Sequence, residues 1–216
     1  MNKPLIMIGA GGHASVLADI LTRQGLTILA LVAPDSSEKG ALAKLPLWQD
    51  ETLCMTIPPE KCLLVNGIGS LPGCGLRTRL FSRYREKGYR FASVIAQDAV
   101  ISRHARLGQG VQIMPGVIVQ SGVQIGDNSI INTGAIVEHD CVMGSHTHLA
   151  PRAVLCGGVT LGERVHVGSG AVVVQGIQLG HEAVVGAGAV LTRNLPDNHI
   201  VYPARPYLTV RKNKQG

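Results

Sequence analysis

Residues 107–142 read LGQGVQ-IMPGVI-VQSGVQ-IGDNSI-INTGAI-VEHDCV, and every hexapeptide opens on an aliphatic residue. The series runs unbroken through Leu107, Ile113, Val119, Ile125, Ile131, Val137, Met143, Leu149, Leu155, Leu161, Val167, Val173, Leu179, Val185 and Leu191. A period of six suits neither an amphipathic helix nor an alternating hairpin strand; it marks a parallel β-helix built from hexapeptides. Gly108, Gly126, Gly144, Gly162 and Gly180 recur every eighteen residues, so three hexapeptides make one triangular coil with glycine stacked along one edge. Positions four after each aliphatic residue are mostly small or β-branched, from Val111 and Val117 to Ala183 and Ala189, and fill the rest of a narrow interior. Aromatic residues, at 3% of the chain, have little place in such a core.

The repeat begins near Val100, so the residues before it need a core of their own, and the 216 residues are expected to form two domains and a tail: 1–98, 99–193 and 194–216. No apolar stretch approaches the roughly 20 residues of a membrane span, and Leu5 to Gly12 is too short and glycine-rich for a signal peptide. The expectation is a cytoplasmic protein without membrane insertion. Five cysteines, with no CxxC pair, argue against a disulfide framework or a zinc site. The formal charge of +6 comes from scattered basic residues, apart from Arg77 to Arg90 and the Arg211-Lys212-Asn213-Lys214 tail. With aromatic stacking partners nearly absent, nucleic acid is not expected; a solvated surface and attraction of small polyanions both fit.

Upstream, Pro4 to Ile8 reads as a buried strand, followed by Gly9-Ala10-Gly11-Gly12-His13 and a helix from Ala14 to Gln24. Strands at Thr27 to Val32, Cys62 to Ile68 and Phe91 to Ile95, with a helix at Leu76 to Lys87, complete a small Rossmann-like α/β unit. Its glycine turn leaves backbone N–H groups at a helix start, suited to an anionic group. The pattern departs from GxGxxG, and Ala33-Pro34 stands where a dinucleotide fold carries an acid, with Asp35 slightly beyond, so NAD is not expected. A turn that packs helix on strand and a turn that holds a ligand both remain open. The strand end at Asn66-Gly67-Ile68-Gly69-Ser70 would lie beside it at the carboxyl edge of the sheet.

Inward side chains of a β-helix are committed to the core, so chemistry must come from outward ones. Glu138-His139-Asp140 interrupts a solenoid with few charges, and the column through His139 is Ser121, His139, Gly157 and Gln175. Gly157 therefore stacks directly on His139, offering a bare N–H beside a candidate base. Most of the eight histidines must nonetheless be ordinary. His104 and His199 read as surface residues, and His148 and His166, one coil apart, have no third partner that would suggest zinc. Cys141 is inward and Cys156 has no obvious base, so a cysteine nucleophile is not expected.

The Gly9-x-Gly11-Gly12-His13 start, the segment Ile131-Asn132-Thr133-Gly134-Ala135-Ile136-Val137-Glu138-His139-Asp140-Cys141, the solenoid and the closing Tyr202-Pro203-Ala204-Arg205 together resemble one family. It is that of the left-handed β-helix acetyltransferases of bacterial surface-sugar synthesis. The nucleotide-sugar N-acetyltransferases acting on bacillosamine or perosamine precursors are the nearest branch, with sialic acid O-acetyltransferases as relatives. The resemblance implies the left-handed coil and a homotrimer with sites between subunits. It also implies His139 as catalytic base, Asp140 as its acidic neighbour and the Gly157 amide as oxyanion donor. It places the nucleotide sugar on Gly11, Gly12, His13, Asp35, Gly69 and Asn132, the last beside the base, and acetyl-CoA on His148, Ser169 and Ala187, with no metal. Two departures stand out: Ala33-Pro34 replaces residues that are often acidic, and Val201 stands where the closing motif usually has glycine.

The expected fold is thus a small amino-terminal α/β Rossmann-like domain, a left-handed parallel β-helix and a short tail. The expected reaction is acetyl transfer from acetyl-CoA to the amino group of a nucleotide-linked amino-deoxy sugar. O-acetylation of a sialic or legionaminic-type sugar and a non-catalytic β-helix scaffold are the alternatives.

Overall fold

The computed structural model describes residues 3–35, 40–49, 52 and 56–204. The amino-terminal unit is a parallel four-stranded sheet built from β1 (Leu5–Ile8), β2 (Ile28–Val32), β3 (Leu47–Trp48) and β4 (Leu63–Asn66), in the order β3-β2-β1-β4. Helix α1 (Gly12–Arg23) crosses from β1 to β2, burying Ala14, Leu17, Ala18, Ile20 and Leu21, spaced along one helical face. Helix α2 (Leu76–Glu86) follows β4 and buries Arg77, Phe81 and Tyr84.

From Val94 the chain winds into a left-handed β-helix of two-residue strands on three parallel sheets. The first face stacks Val94–Ile95, Gln112–Ile113, Ile130–Ile131, His148–Leu149, His166–Val167, Val184–Val185 and Ile200–Val201. The second stacks Val100–Ile101, Ile118–Val119, Ile136–Val137, Val154–Leu155, Val172–Val173 and Val190–Leu191. The third stacks Arg106–Leu107, Gln124–Ile125, Val142–Met143, Thr160–Leu161 and Gln178–Leu179. Strands one coil apart pair in register at eighteen-residue steps, as Ile136 with Val154 and Val137 with Leu155. The second residue of each pair points inward, and the small residues between strands, such as Ala135, Cys141 and Ala153, are fully buried with it. The stacked glycines have a steric cause: a Cβ on Gly126 would lie 2.5 Å from the Ser145 nitrogen of the next coil.

Three features differ from the sequence reading. Phe91 to Ile95 is not one strand: Phe91 bridges to Leu64 of the α/β sheet, whereas Val94–Ile95 pairs with Gln112–Ile113 as the first rung of the β-helix. The tail expected from residue 194 is, as far as residue 204, a continuation of the coil: Leu195 bridges to Leu179 and Ile200–Val201 pairs with Val184–Val185. The short β3 extends the α/β sheet beyond the expected strands, because Leu31 and Val32 still have a free edge to satisfy. Cys54, Arg205 and the basic tail lie outside the described residues. Among the described residues no helix is long and apolar enough to cross a membrane.

The α/β unit sits on the first face of the β-helix through a buried polar network. Gln112 and Asn128 on the coils and Asn66 and Arg77 on the α/β unit are all almost fully buried. Arg77 donates to the carbonyls of Asn66 (3.0 Å), Ile68 (2.6 Å) and Asn128 (3.1 Å), and Gln112 Nε2 donates to the Asn66 carbonyl at 2.7 Å. Asn66 Nδ2 donates to Asn128 Oδ1 at 3.1 Å. Burial lowers the Arg77 pKa to about 9. Three carbonyl acceptors offset part of its desolvation, and they fix the loop after β4 against the coils.

Candidate active site

From Gly122 onward the corner between the second and third faces turns on two residues, the second with left-handed backbone: Gly122, Asp140, Gly158 and Gly176. In the coil of His139 that second residue is Asp140, at φ 60°, a conformation aspartate adopts more readily than most side chains. The turn brings the two side chains together: His139 Nδ1 lies 2.9 Å from Asp140 Oδ2. A neutral His139 that donates Nδ1–H to this carboxylate carries its free lone pair on Nε2. The coil above supplies Gly157, where a Cβ would stand 2.5 Å from His139 Nε2 and 2.7 Å from Cε1. The imidazole therefore packs on bare backbone. The Gly157 carbonyl accepts from Gly176 N, whereas its N–H has no acceptor among the described residues. Base, carboxylate and unspent amide thus meet at one corner, as the eighteen-residue register requires. The dyad is open, with side-chain exposures of 65% for His139 and 73% for Asp140.

A second group forms where the α/β unit meets the first face. His13 Nε2 lies 2.7 Å from Gln112 Oε1, and Gly69 faces His13 closely, since a Cβ there would stand 3.6 Å from the His13 Cβ. His148 Nδ1 lies 3.0 Å from the Ser70 carbonyl, and its Nε2 lies 3.3 Å from Asn132 Nδ2. Those contacts assign the Nδ1–H tautomer to His148 and orient the Asn132 amide, whose Oδ1 accepts from Thr133 N at 2.8 Å. Burial first, then Arg77, lowers the His13 pKa to about 4; burial, then His166, lowers that of His148 to about 3. Both imidazoles are neutral at physiological pH. Beyond them, a cleft of about 620 Å³ opens at the carboxyl edge of the α/β sheet, lined by Gly9, Gly11, Val32, Pro34, Asp35 and Ile68 among others. Gly11 and Gly12, at the uncapped start of α1, border open space.

Ser169 and Ala187 are exposed on the corner between the first and second faces, stacked one coil apart through Gly188 N to Ser169 O at 2.9 Å. Asn132 belongs to that same corner. The expectation of Asn132 beside the base is therefore not met within one chain: the strand Ile136–Val137 separates it from His139. His148 is only 8% exposed and spends both ring nitrogens inside the protein, so the structure makes it a support for Asn132 rather than an open surface contact.

Sequence reasoning did not foresee that Gln112, Asn66, Asn128 and Arg77 hold the two units together. A signal existed in the outward positions of the first face, where Gln112, His148 and His166 replace the aliphatic residues seen at Ile130 and Val184. Burial pushes the Cys141 thiol up to about 11, which suits a core residue and not a nucleophile. Among the described residues no group of three or more His, Cys, Asp or Glu side chains is placed to hold a metal ion.

Residues 104–139 and 140–175 match the family model for the bacterial transferase hexapeptide (six repeats), residues 158–193 that for the hexapeptide repeat of succinyl-transferase, and residues 4–83 that for the PglD N-terminal domain. Perosamine N-acetyltransferase from Caulobacter crescentus, solved with CoA and GDP-perosamine, is 37% identical over 91% of this chain and 92% of its own, with a TM-score of 0.82. The acetyltransferase domain of PglB from Neisseria gonorrhoeae, solved with acetyl coenzyme A, is 31% identical over 96% of this chain and 100% of its own, at 0.83. WeeI from Acinetobacter baumannii, 24% identical over 91% and 94% at a TM-score of 0.79, shares the fold. Curated protein sequences gave no significant match. Fold and likeness together define the class, a hexapeptide-repeat acyltransferase. Within it, the chain belongs to the family of β-helix nucleotide-sugar acetyltransferases that includes perosamine N-acetyltransferase and the PglB acetyltransferase domain.

Proposed function

We propose that this protein transfers the acetyl group of acetyl-CoA to the amino group of a nucleotide-linked amino-deoxy sugar, of the UDP-4-amino-sugar or GDP-perosamine type, in the cytoplasmic synthesis of a bacterial surface polysaccharide. The observation that carries this reading is the His139–Asp140 pair held beneath the unspent Gly157 amide. His139 Nε2 takes the proton from the amine as its nitrogen attacks the thioester carbonyl, while Asp140 stabilises the imidazolium that forms. The Gly157 N–H donates to the thioester oxygen as charge develops on it. The C–N bond forms, the C–S bond breaks, and the proton held by His139 passes to the departing thiolate. Holding amine and thioester together contributes much of the rate.

Residues 1–98 would carry the nucleotide sugar, with Gly11 and Gly12 at the helix start facing its phosphates and His13, Asp35 and Gly69 lining its path. Residues 99–193 would carry the chemistry, and 194–216 the closing segment. Ser169 and Ala187, small and exposed, would leave room for the pantetheine arm, with His148 behind them bracing Asn132, which would meet the nucleotide sugar beside the base of a neighbouring chain.

Those acetyl-CoA residues occupy one edge of the prism and His139 another, so the reading calls for a homotrimer in which neighbouring chains complete each site. The face between the two edges suits this: its outward column is Val100, Ile118, Ile136, Val154, Val172 and Val190, aliphatic throughout. Val100 and Val190 at its ends are 64% and 62% exposed. A flat apolar β-face of this kind is a surface for a second copy of the chain.

Mass and NMR analysis of products from a panel of nucleotide 4-amino sugars and free nonulosonic acids tests the proposal. It expects one acetyl group on nitrogen of a nucleotide-linked sugar. Acetylation of a hydroxyl on a free nonulosonic acid would replace it with the O-acetyltransferase reading, and absence of acetyl-CoA binding would favour a scaffold.

A further inference from the structure

His139 is bounded above by Gly157, but the pair has a second boundary below it. Gly122 precedes Asp140 by one coil at the same corner, and Asp140 N donates to the Ser121 carbonyl at 3.0 Å, which seats one turn on the other. A Cβ built on Gly122 would overlap Asp140 Oδ1 and lie 3.4 Å from Asp140 Cγ and 3.5 Å from its Cα. The carboxylate that holds His139 Nδ1 thus rests on the bare backbone of the coil beneath. We propose that Gly122 is a positioning residue for the acetyl transfer: its missing side chain lets Asp140 lie flat on the coil and reach His139.

The alternative role, supplying left-handed backbone (φ 78°), is separable from this one. Gly116, at φ 70°, occupies the preceding corner with the same handedness, and a Cβ there meets nothing closer than Gly134 Cα at 3.9 Å. A methyl at either glycine carries the same conformational penalty. Only at Gly122 does it strike the carboxylate. Because Asp140 can swing away by side-chain rotation, the collision costs orientation more than folding.

The inference rests on His139 acting as the base, and the test separates the two. Steady-state kcat and KM would be measured on the intact enzyme, with acetyl-CoA and the nucleotide amino sugar acetylated fastest in the product panel. The variants are Gly122→Ala, Gly116→Ala, Asp140→Ala, the double Gly122→Ala/Asp140→Ala, and His139→Ala. Gly122→Ala should lower kcat about ten- to a hundred-fold, a part of what a positioned acid–base group contributes, with both KM values within about twofold of wild type. Gly116→Ala should stay within about twofold of wild type, with a matching Tm change. The double variant should be no slower than Asp140→Ala alone, since the methyl acts only through the side chain that this truncation removes. A Gly122→Ala rate equal to that of Gly116→Ala, or losses that multiply in the double variant, would overturn the role of Gly122. Activity retained in His139→Ala would instead overturn the base. Should Gly122→Ala fold poorly, Gly122→Asn against Gly116→Asn puts the same Cβ on a residue tolerant of left-handed backbone, as Asn128 and Asn198 are at their own corners.

Discussion

Acidification should loosen this protein well above the pH at which its ordinary carboxylates protonate. His13 and His148 are held neutral where the α/β unit meets the β-helix, with pKa values of about 4 and about 3 against an ordinary 6.5. Burial lowers those of His146 and His166 in the same direction. Above pH ~6.5 neither the folded nor the unfolded chain protonates these rings, and the contribution to stability is complete. As pH falls below that value the unfolded chain takes up protons that the folded chain refuses, so stability is lost. Each histidine costs about 1.4 kcal/mol per pH unit, so His13 and His148 together remove about 4 kcal/mol between pH ~6.5 and ~5. That is a large share of a typical ~5–15 kcal/mol. Urea unfolding at about pH 7.5 and about pH 5, at fixed protein concentration, reads the loss through the single tryptophan, Trp48, which sits on β3 of the α/β unit. The double variant His13→Gln/His148→Gln should lose most of the slope. A wild-type difference under about 1 kcal/mol would refute the neutral-histidine account of this junction.

Three further outcomes follow from the same geometry. Gly157→Ala would place a methyl 2.5 Å from His139 Nε2 while leaving the amide in place, so kcat should fall at least about a hundred-fold, with acetyl-CoA affinity by calorimetry nearly unchanged. The pair Ile136→Arg/Val154→Arg, on the aliphatic outward face, should shift the protein to monomer in analytical ultracentrifugation and abolish activity; an active monomer would contradict shared sites. Co-assembly of His139→Ala chains with Ala187→Trp chains should restore part of the activity that each lacks alone, because one mixed junction then carries two intact halves. No recovery in verified mixed trimers would place the halves in one chain.

How much of this was legible in the sequence depends on how local each feature is. The coils were readable because every inward position repeats the same demand for an aliphatic or small side chain, and the register that followed placed Gly157 on His139. The first rung escaped only because its repeat begins there: Ile95 and Ile101 do precede Leu107 at the same six-residue step. The seating of the α/β unit was not readable. Arg77 looks like one more surface cation in a basic helix, and its burial depends on carbonyls of Asn66 and Asn128, eleven and fifty-one residues away. The intrachain separation of Asn132 from His139 was not readable for a related reason, since a corner-to-corner distance follows from which face each turn joins. Asp140 shows the converse: its residue type suited a left-handed turn, and that backbone is what brings its carboxylate to His139.

The central claim is that His139 activates an amine for attack on acetyl-CoA, and a single-turnover measurement on the intact protein tests it most directly. Wild type and His139→Ala would each be loaded with acetyl-CoA and the preferred nucleotide amino sugar, with free thiol and N-acetylated sugar followed together. The account expects wild type to release thiol and form N-acetyl product in equal amounts, and His139→Ala to bind acetyl-CoA with near-normal affinity yet form product at least about a hundred-fold more slowly. Product formation by His139→Ala at the wild-type rate would contradict it.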